Sequence, residues 1–294
     1  MKLTTVPVKT YLSKSKIPGA GYVINPYVGC PHRCLYCYAE YMRKFTAHTE
    51  PWGEFLDVKL CNAPLHPAQL FHQHVMLSSV TDAYNPFEKK YEITRRILEQ
   101  LVACQAYVSV LTKSALVTRD IDLFKQLPGC EVAFSFSTVD ETVRSWVEPG
   151  ASSVQERLSA LKTVHEAGLP TAVMAAPLLP KISDFKAIVQ AASPYTSTFR
   201  FDSLKMRGTF QRKLMDFIDV HYPHLLPLYN EIYLQGKRTY WHELEEQIKA
   251  FCRTQGVTAE TFFGKESSFS FETPKPFAKP GTPTTAPPTE PQLF

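Results

Sequence analysis

Apolar and polar positions along this chain change their period again and again. Short apolar or alternating runs predict strands over 22–28, 55–61, 75–80, 107–111, 131–136, 171–179 and 198–204. Between them, longer stretches carry apolar residues at helical spacing, and helices are expected over 36–44, 67–72, 87–104, 118–127, 154–167 and 184–192. The 87–104 stretch shows the pattern well: Ile93, Ile97, Leu98 and Leu101 recur every three to four residues. Gly168 stops the 154–167 helix, and Asp184 opens the next.

Strands that alternate with helices form right-handed βαβ units around a parallel sheet. About six such strands follow from the start of the first turn, fewer than the eight of a closed barrel. The expected architecture is α/β, a partial (β/α)6 barrel of the TIM type. Further helices over 208–234 and 240–255 would close its open side. The chain then divides into a polar, irregular arm (1–21), the barrel (22–206), a helical extension (207–263) and a tail (264–294). Residues 272–294 hold seven of the 23 prolines, with Thr, Lys and Glu between them, so the tail is expected to be disordered.

Composition adds bounds. The chain has 294 residues, 44% hydrophobic and 20% charged, which is enough for a large packed core. A net charge of +4 permits an anionic substrate without requiring one. The nearest thing to a basic patch is Arg200, Lys205, Arg207, Arg212 and Lys213, flanked by Phe199, Phe201 and Phe210. DNA phosphates can bind such a patch, and an ordinary solvated helix start reads the same way. Seven cysteines show no disulfide-like spacing, and no secretory h-region or run of ~20 apolar residues is present. A cytoplasmic protein with no membrane partner is expected.

The chemistry concentrates in Gly29-Cys30-Pro31-His32-Arg33-Cys34-Leu35-Tyr36-Cys37-Tyr38. Three thiols at C-x3-C-x2-C spacing can meet one inorganic centre. On a four-iron cluster they would leave one iron open for a small molecule. The competing reading is zinc, with His32 as a fourth ligand, although zinc's usual second cysteine pair is missing. Other candidates lie at strand ends: the run Ser79-Val80-Thr81-Asp82, then Thr112-Lys113, then Ser135-Phe136-Ser137. Their hydroxyls also suit helix caps, and Lys113 can neutralise a carboxylate. Arg157 can fork onto a carboxylate or stay on the surface. Cys61, Cys104, Cys130 and Cys252 read as structural thiols.

The cysteine run resembles the radical S-adenosylmethionine (SAM) superfamily. With Thr112-Lys113, Phe134-Ser135, Glu148-Pro149-Gly150-Ala151-Ser152-Ser153, Arg157-Leu158 and Ala175-Ala176-Pro177, the chain looks like the spore photoproduct lyase branch over about residues 22–260. The resemblance implies a [4Fe-4S] cluster on Cys30, Cys34 and Cys37, with SAM on the open iron. Reductive cleavage of SAM would give a 5′-deoxyadenosyl radical that abstracts hydrogen from the substrate. It places Tyr36 at the adenine, and Thr81, Lys113 and Ser135 at the rest of SAM. Tyr36, Tyr38 and Ser79 fall on catalytic positions. The branch has a hydrogen-donating cysteine where this chain has Ser79, and an O–H bond is too strong to replace a thiol there. The implied partners are an electron donor of the flavodoxin or ferredoxin type and a substrate: a pyrimidine lesion in DNA, or else a peptide or small molecule. A metal-binding module without catalysis is a further alternative.

Overall fold

The structure is a computed structural model, and it describes residues 1–206, 208 and 210–264. The expected disordered tail falls outside them from residue 265 on, as does Arg207 of the basic patch.

Eleven strands form two sheets among the described residues: β1 (Lys2–Pro7), β2 (Leu12–Lys14), β3 (Tyr22–Ile24), β4 (Tyr27–Val28), β5 (Phe55–Leu60), β6 (His74–Leu77), β7 (Tyr107–Thr112), β8 (Gly129–Ser135), β9 (Thr171–Leu178), β10 (Thr198–Ser203) and β11 (Thr258–Phe262). The large sheet runs β11-β10-β9-β8-β7-β6-β3-β2. Every neighbouring pair from β3 to β11 is parallel, and β2 is antiparallel on the far edge. Six consecutive parallel strands, β3 and β6–β10, make the α/β partial barrel that the alternation predicts. Their side chains explain the burial: Val75, Leu77, Val108, Val110, Val132, Phe134 and Val173 are fully buried. Sheets covered on both faces need such near-continuous apolar runs. Ile97, Leu98 and Leu101 from Ile93–Ala103, Leu161 and Val164 from Val154–Glu166, and Ile188 and Val189 from Phe185–Ala192 join the same core.

Helix ends follow local chemistry. Ser153 and Glu156 form a reciprocal capping box, and Asp184 accepts from the amides of Lys186 and Ala187. Gly168 takes φ +78° just past the Val154–Glu166 helix.

Several expectations are corrected. The 87–104 helix is two helices, Glu88–Tyr91 and Ile93–Ala103, broken at Glu92 with φ 50°. The cause is Glu88. Its buried carboxylate accepts from the amides of Thr94 (3.0 Å) and Arg95 (3.3 Å), capping the second helix. Apolar spacing cannot see a carboxylate turned inward. The 36–44 helix is a 3-10 helix, Tyr38–Phe45, and 118–127 is a 3-10 turn followed by Ile121–Phe124. The arm is not irregular, since it supplies β1 and β2. Strand β5 does not join the barrel; it pairs with β1 and β4 in a separate three-stranded sheet. The segment after residue 207 is not purely helical. Beyond the helices Phe210–His221, Leu226–Tyr233 and Thr239–Thr254, β11 extends the large sheet.

The basic patch is corrected too. Arg200 is buried, with Nη1 2.6 Å from Glu131 Oε1 on β8 and Nε 3.6 Å from Glu260 Oε2 on β11. It staples three strands together and presents nothing to phosphates. Arg200→Ala strands two carboxylates, and it is expected to lower unfolding stability by about 2–4 kcal/mol. A urea titration measures this, and a change under 0.5 kcal/mol would contradict it.

Candidate active site

The cysteine loop leaves β4 near the C-terminal ends of the parallel strands. Gly29 begins it with φ +92°, and a Cβ there would lie 2.3 Å from the Phe55 carbonyl oxygen. Only glycine tolerates both demands. The loop is irregular, so its polar backbone must be satisfied from outside. The amide of Leu35 donates to Val147 O at 2.9 Å, and the amide of Gly150 donates to His32 O at 2.9 Å. A Cβ on Gly150 would stand 2.2 Å from Pro31 O. The Glu148-Pro149-Gly150 turn is thus pressed directly onto the loop.

A buried charge pair anchors that turn. Glu148 and Arg157 are both fully buried, with Arg157 Nη2 2.8 Å from Glu148 Oε2. Glu148 Oε1 accepts from Ser137 Oγ at 2.9 Å and from the Tyr36 hydroxyl. Arg157 Nη1 donates to Ser135 O at 2.6 Å, and the guanidinium lies over the Phe136 ring. Burial pushes the Glu148 carboxyl upward, but Arg157 and Lys113 pull it net below its ordinary value, so it stays charged. Arg157 therefore takes the forked reading, not the surface one.

Above this base lies a cavity of about 500 Å³. All nine residues to which the resemblance gives a role line it. Cys30, Cys34 and Cys37 come from the loop with Tyr36 and Tyr38, Ser79 and Thr81 from the β6 end, Lys113 from the β7 end, and Ser135 from the β8 end. The three thiols are free. Burial pushes Cys34 up to about 12, and Cys30 well above its ordinary value, helped by the charges of Cys34 and Cys37. A cation bound there would offset the cost of charging these thiols and hold them as thiolates.

The other residues have their own ties. Thr81 Oγ1 donates to Gly29 O at 2.6 Å. The Tyr38 hydroxyl donates to Ser79 O, and Ser79's amide donates to Asn25 Oδ1 at 2.9 Å. Ser135 Oγ donates to Ala176 O at 3.3 Å. Lys113 Nζ sits 5.7 Å from the Tyr36 ring centre. Burial lowers the Lys113 pKa, but Cys34, Glu148 and Asp82 outweigh it, so the ammonium stays charged.

Asp202 was missed as a site residue, and Lys205 was read only as part of the basic patch. Asp82 belongs to a candidate run that also suits a helix cap. In the structure it accepts from Thr112 Oγ1, Lys113 N and Tyr84 N, each at 2.8 Å, and it stands 3.4 Å from His32 Nδ1. Asp202 and Lys205, paired at 3.2 Å, line the far side of the cavity. Their position at a strand end was the available signal. Of the four structural thiols, Cys104, Cys130 and Cys252 are buried, and none of the four lines the cavity.

The model of the radical SAM superfamily matches residues 24–191. This chain belongs to the radical SAM superfamily. An uncharacterized protein of Methanocaldococcus jannaschii is 34% identical over 223 residues, covering 76% of this chain and 85% of its own. Among solved structures, a cysteine-to-serine mutant of spore photoproduct lyase superposes with a TM-score of 0.65 at 20% identity, covering 89% of this chain and 82% of that one. A double mutant of the same lyase, with bound AdoMet and dinucleoside spore photoproduct, gives 0.60 at 17%, with the same coverage. The fold is shared with these.

The chain is therefore a radical SAM enzyme, and the superfamily implies SAM and an iron–sulfur cluster. Membership sets aside the reading of a binding module without catalysis. The residues fit a multi-iron group. Among the described residues no three His, Cys, Asp or Glu side chains are grouped to hold a single metal ion. His32, the proposed fourth zinc ligand, faces Asp82 instead. Three free cysteines of one loop, all lining the cavity, offer a cluster three thiolate donors.

Glu148→Ala would leave Arg157 buried without a counter-charge. It is expected to cost about 3–5 kcal/mol in a urea titration, while Glu141→Ala, which removes a carboxylate paired with Arg144 at the surface, costs under about 1 kcal/mol.

Proposed function

We propose that Cys30, Cys34 and Cys37 hold a [4Fe-4S] cluster whose open iron takes SAM in the cavity above. The carrying observation is the convergence of three free thiols with a charged lysine on one cavity wall at the strand ends. The cluster and SAM, when bound, supply a 5′-deoxyadenosyl radical for hydrogen abstraction.

The chain's own residues orient that chemistry. Lys113, held charged by Glu148 and Asp82, attracts the SAM carboxylate. Thr81, fixed against Gly29, presents oxygen lone pairs to the SAM amino group. Ser135 turns its proton to Ala176 O, which leaves its lone pairs for a ribose hydroxyl. Tyr36 is locked by Glu148 between two of the ligands, so its backbone is fixed for adenine. Ile17, Met76, Leu111, Met174 and Leu204 keep water away from a reactive radical.

The lyase seen with a dinucleoside spore photoproduct supports a pyrimidine lesion in DNA as the substrate. Ser79 stands at the cavity in place of a hydrogen-donating thiol, so the hydrogen returned to any product radical would come from another source. A second reading, a peptide or small molecule, is favoured by one observation: Arg200, the centre of the expected basic patch, is buried in ion pairs. An electron donor of the flavodoxin or ferredoxin type, in a reducing cytoplasm, completes either reading. No helix among the described residues is long and apolar enough to cross a membrane.

Anaerobic reconstitution with iron and sulfide is expected to give a brown protein that converts SAM to 5′-deoxyadenosine under dithionite. Alanine at Cys30, Cys34 or Cys37 should abolish both properties, and retention of full iron with unaltered cleavage would overturn the assignment. Lys113→Met is expected to weaken SAM binding by about tenfold to a hundredfold, the worth of a charged hydrogen bond, measured by equilibrium dialysis. Binding of lesion-bearing DNA, if it occurs, should fall steeply with salt. A flat response favours the second reading.

A further inference from the structure

The side of the cysteine loop that faces away from the barrel is covered by the three-stranded sheet and the loop that enters β5. Trp52, on that loop, forms a small apolar cluster with Ala39 and Phe55, and Cys30, Cys37 and Met42 pack against it. Trp52 is 9% exposed and meets Phe55 edge-on, with ring centres 5.7 Å apart. Its position is fastened to the cysteine loop. Arg33 Nε donates to Gly53 O at 3.2 Å. Gly53 has φ +93°, and a Cβ there would lie 2.9 Å from Arg33 Cγ. On the other side Phe55 O abuts Gly29, as described above.

One polar atom in this cover is unsatisfied. The indole N–H of Trp52 is buried and meets no hydrogen-bond geometry with any described residue. Leaving a buried donor unmade costs about 1–3 kcal/mol, so such a group needs an explanation. Cys37 packs against this same cluster, which puts its sulfur within the surroundings of the buried indole. A neutral thiol is a weak acceptor, and a thiolate on iron is a far better one. Trp52 does not line the cavity, so it meets neither cofactor nor substrate there.

We infer that the Trp52 indole N–H is the hydrogen-bond donor to the Cys37 sulfur of the bound cluster, and that it sets the cluster's reduction potential. This rests on Cys37 being a cluster ligand. A donor at a ligating sulfur stabilises the cluster state with one electron more, because that state carries more negative charge. Trp52 is thus a positioning residue that acts through Cys37. It makes the cluster easier to reduce by the one-electron donor.

The test is a redox titration of the reconstituted full-length protein, followed by electron paramagnetic resonance, for the wild type and Trp52→Phe. Phenylalanine keeps an aromatic ring and removes the N–H. The expected result is an unchanged iron content with about tenfold fewer clusters reduced at a fixed reductant poise, the upper end of one hydrogen bond. For one electron, tenfold is about 59 mV, here toward more negative potential. An unmoved midpoint at full iron content overturns the inference and leaves the cluster assignment standing. A wild type that takes up no iron removes both. Should Trp52→Phe fail to fold or load, pulsed resonance on the reduced wild type with 15N-indole tryptophan decides. Trp146 and Trp241, the other two tryptophans, lie outside the cluster-packing group. A 15N coupling that reports an indole at the cluster upholds the inference, and its absence ends it.

Discussion

An irregular loop with three half-buried cysteines cannot hold its own shape, and this constraint organises the molecule. Helices and strands pair their backbones in regular ladders, but the Cys30–Cys37 segment closes only short turns of its own, Arg33 N to Cys30 O and Cys37 N to Cys34 O. It borrows partners from three directions. Val147 O and the Gly150 amide hold it from the β8 side, the Phe55 carbonyl closes on Gly29, and Gly53 takes the Arg33 side chain. Each close approach depends on a residue with no side chain, because the contact distances leave no room for a Cβ.

The second layer of support is electrostatic. Glu148 and Arg157 form an ion pair with neither side chain exposed. Such a pair gains little net stability over an apolar pair of the same shape, because desolvation offsets most of the attraction. Its value here is directional. Glu148 takes the Tyr36 hydroxyl and Ser137, while Arg157 takes the Ser135 carbonyl, so the loop and β8 are locked in one register. The same carboxylate keeps Lys113 charged at the cavity wall. Fold and site therefore share their most deeply buried charges.

The parallel strands and most helix ends could be read from the chain because their signals are local. Val75–Leu77 is apolar, and Val108 and Val110 are buried on either side of Ser109, because both faces are covered, and Ser153 with Glu156 announces a helix start three residues apart. The three cysteines were legible for the same reason, being spaced within one turn-rich run. The edge strands were not. β1, β2 and β11 are mostly exposed or half-buried along their length, and β1 and β11 pair with strands distant in the chain, β5 and β10. Polar edge strands look like loops until the partner is known.

What the chain order alone determined is the alternation that makes a parallel sheet and the thiol triplet after its first strand, since period and spacing are properties of neighbouring residues. Only the tertiary structure decided where the isolated polar side chains went. Arg200 looked like a surface cation and became a buried staple, and Asp82 looked like a cap and became a wall of the cavity. Trp52, which no period or motif marks in the sequence, became the cover of two cysteines. A charged or polar group is placed by whichever partner can repay its desolvation, and that partner lies tens of residues away in sequence.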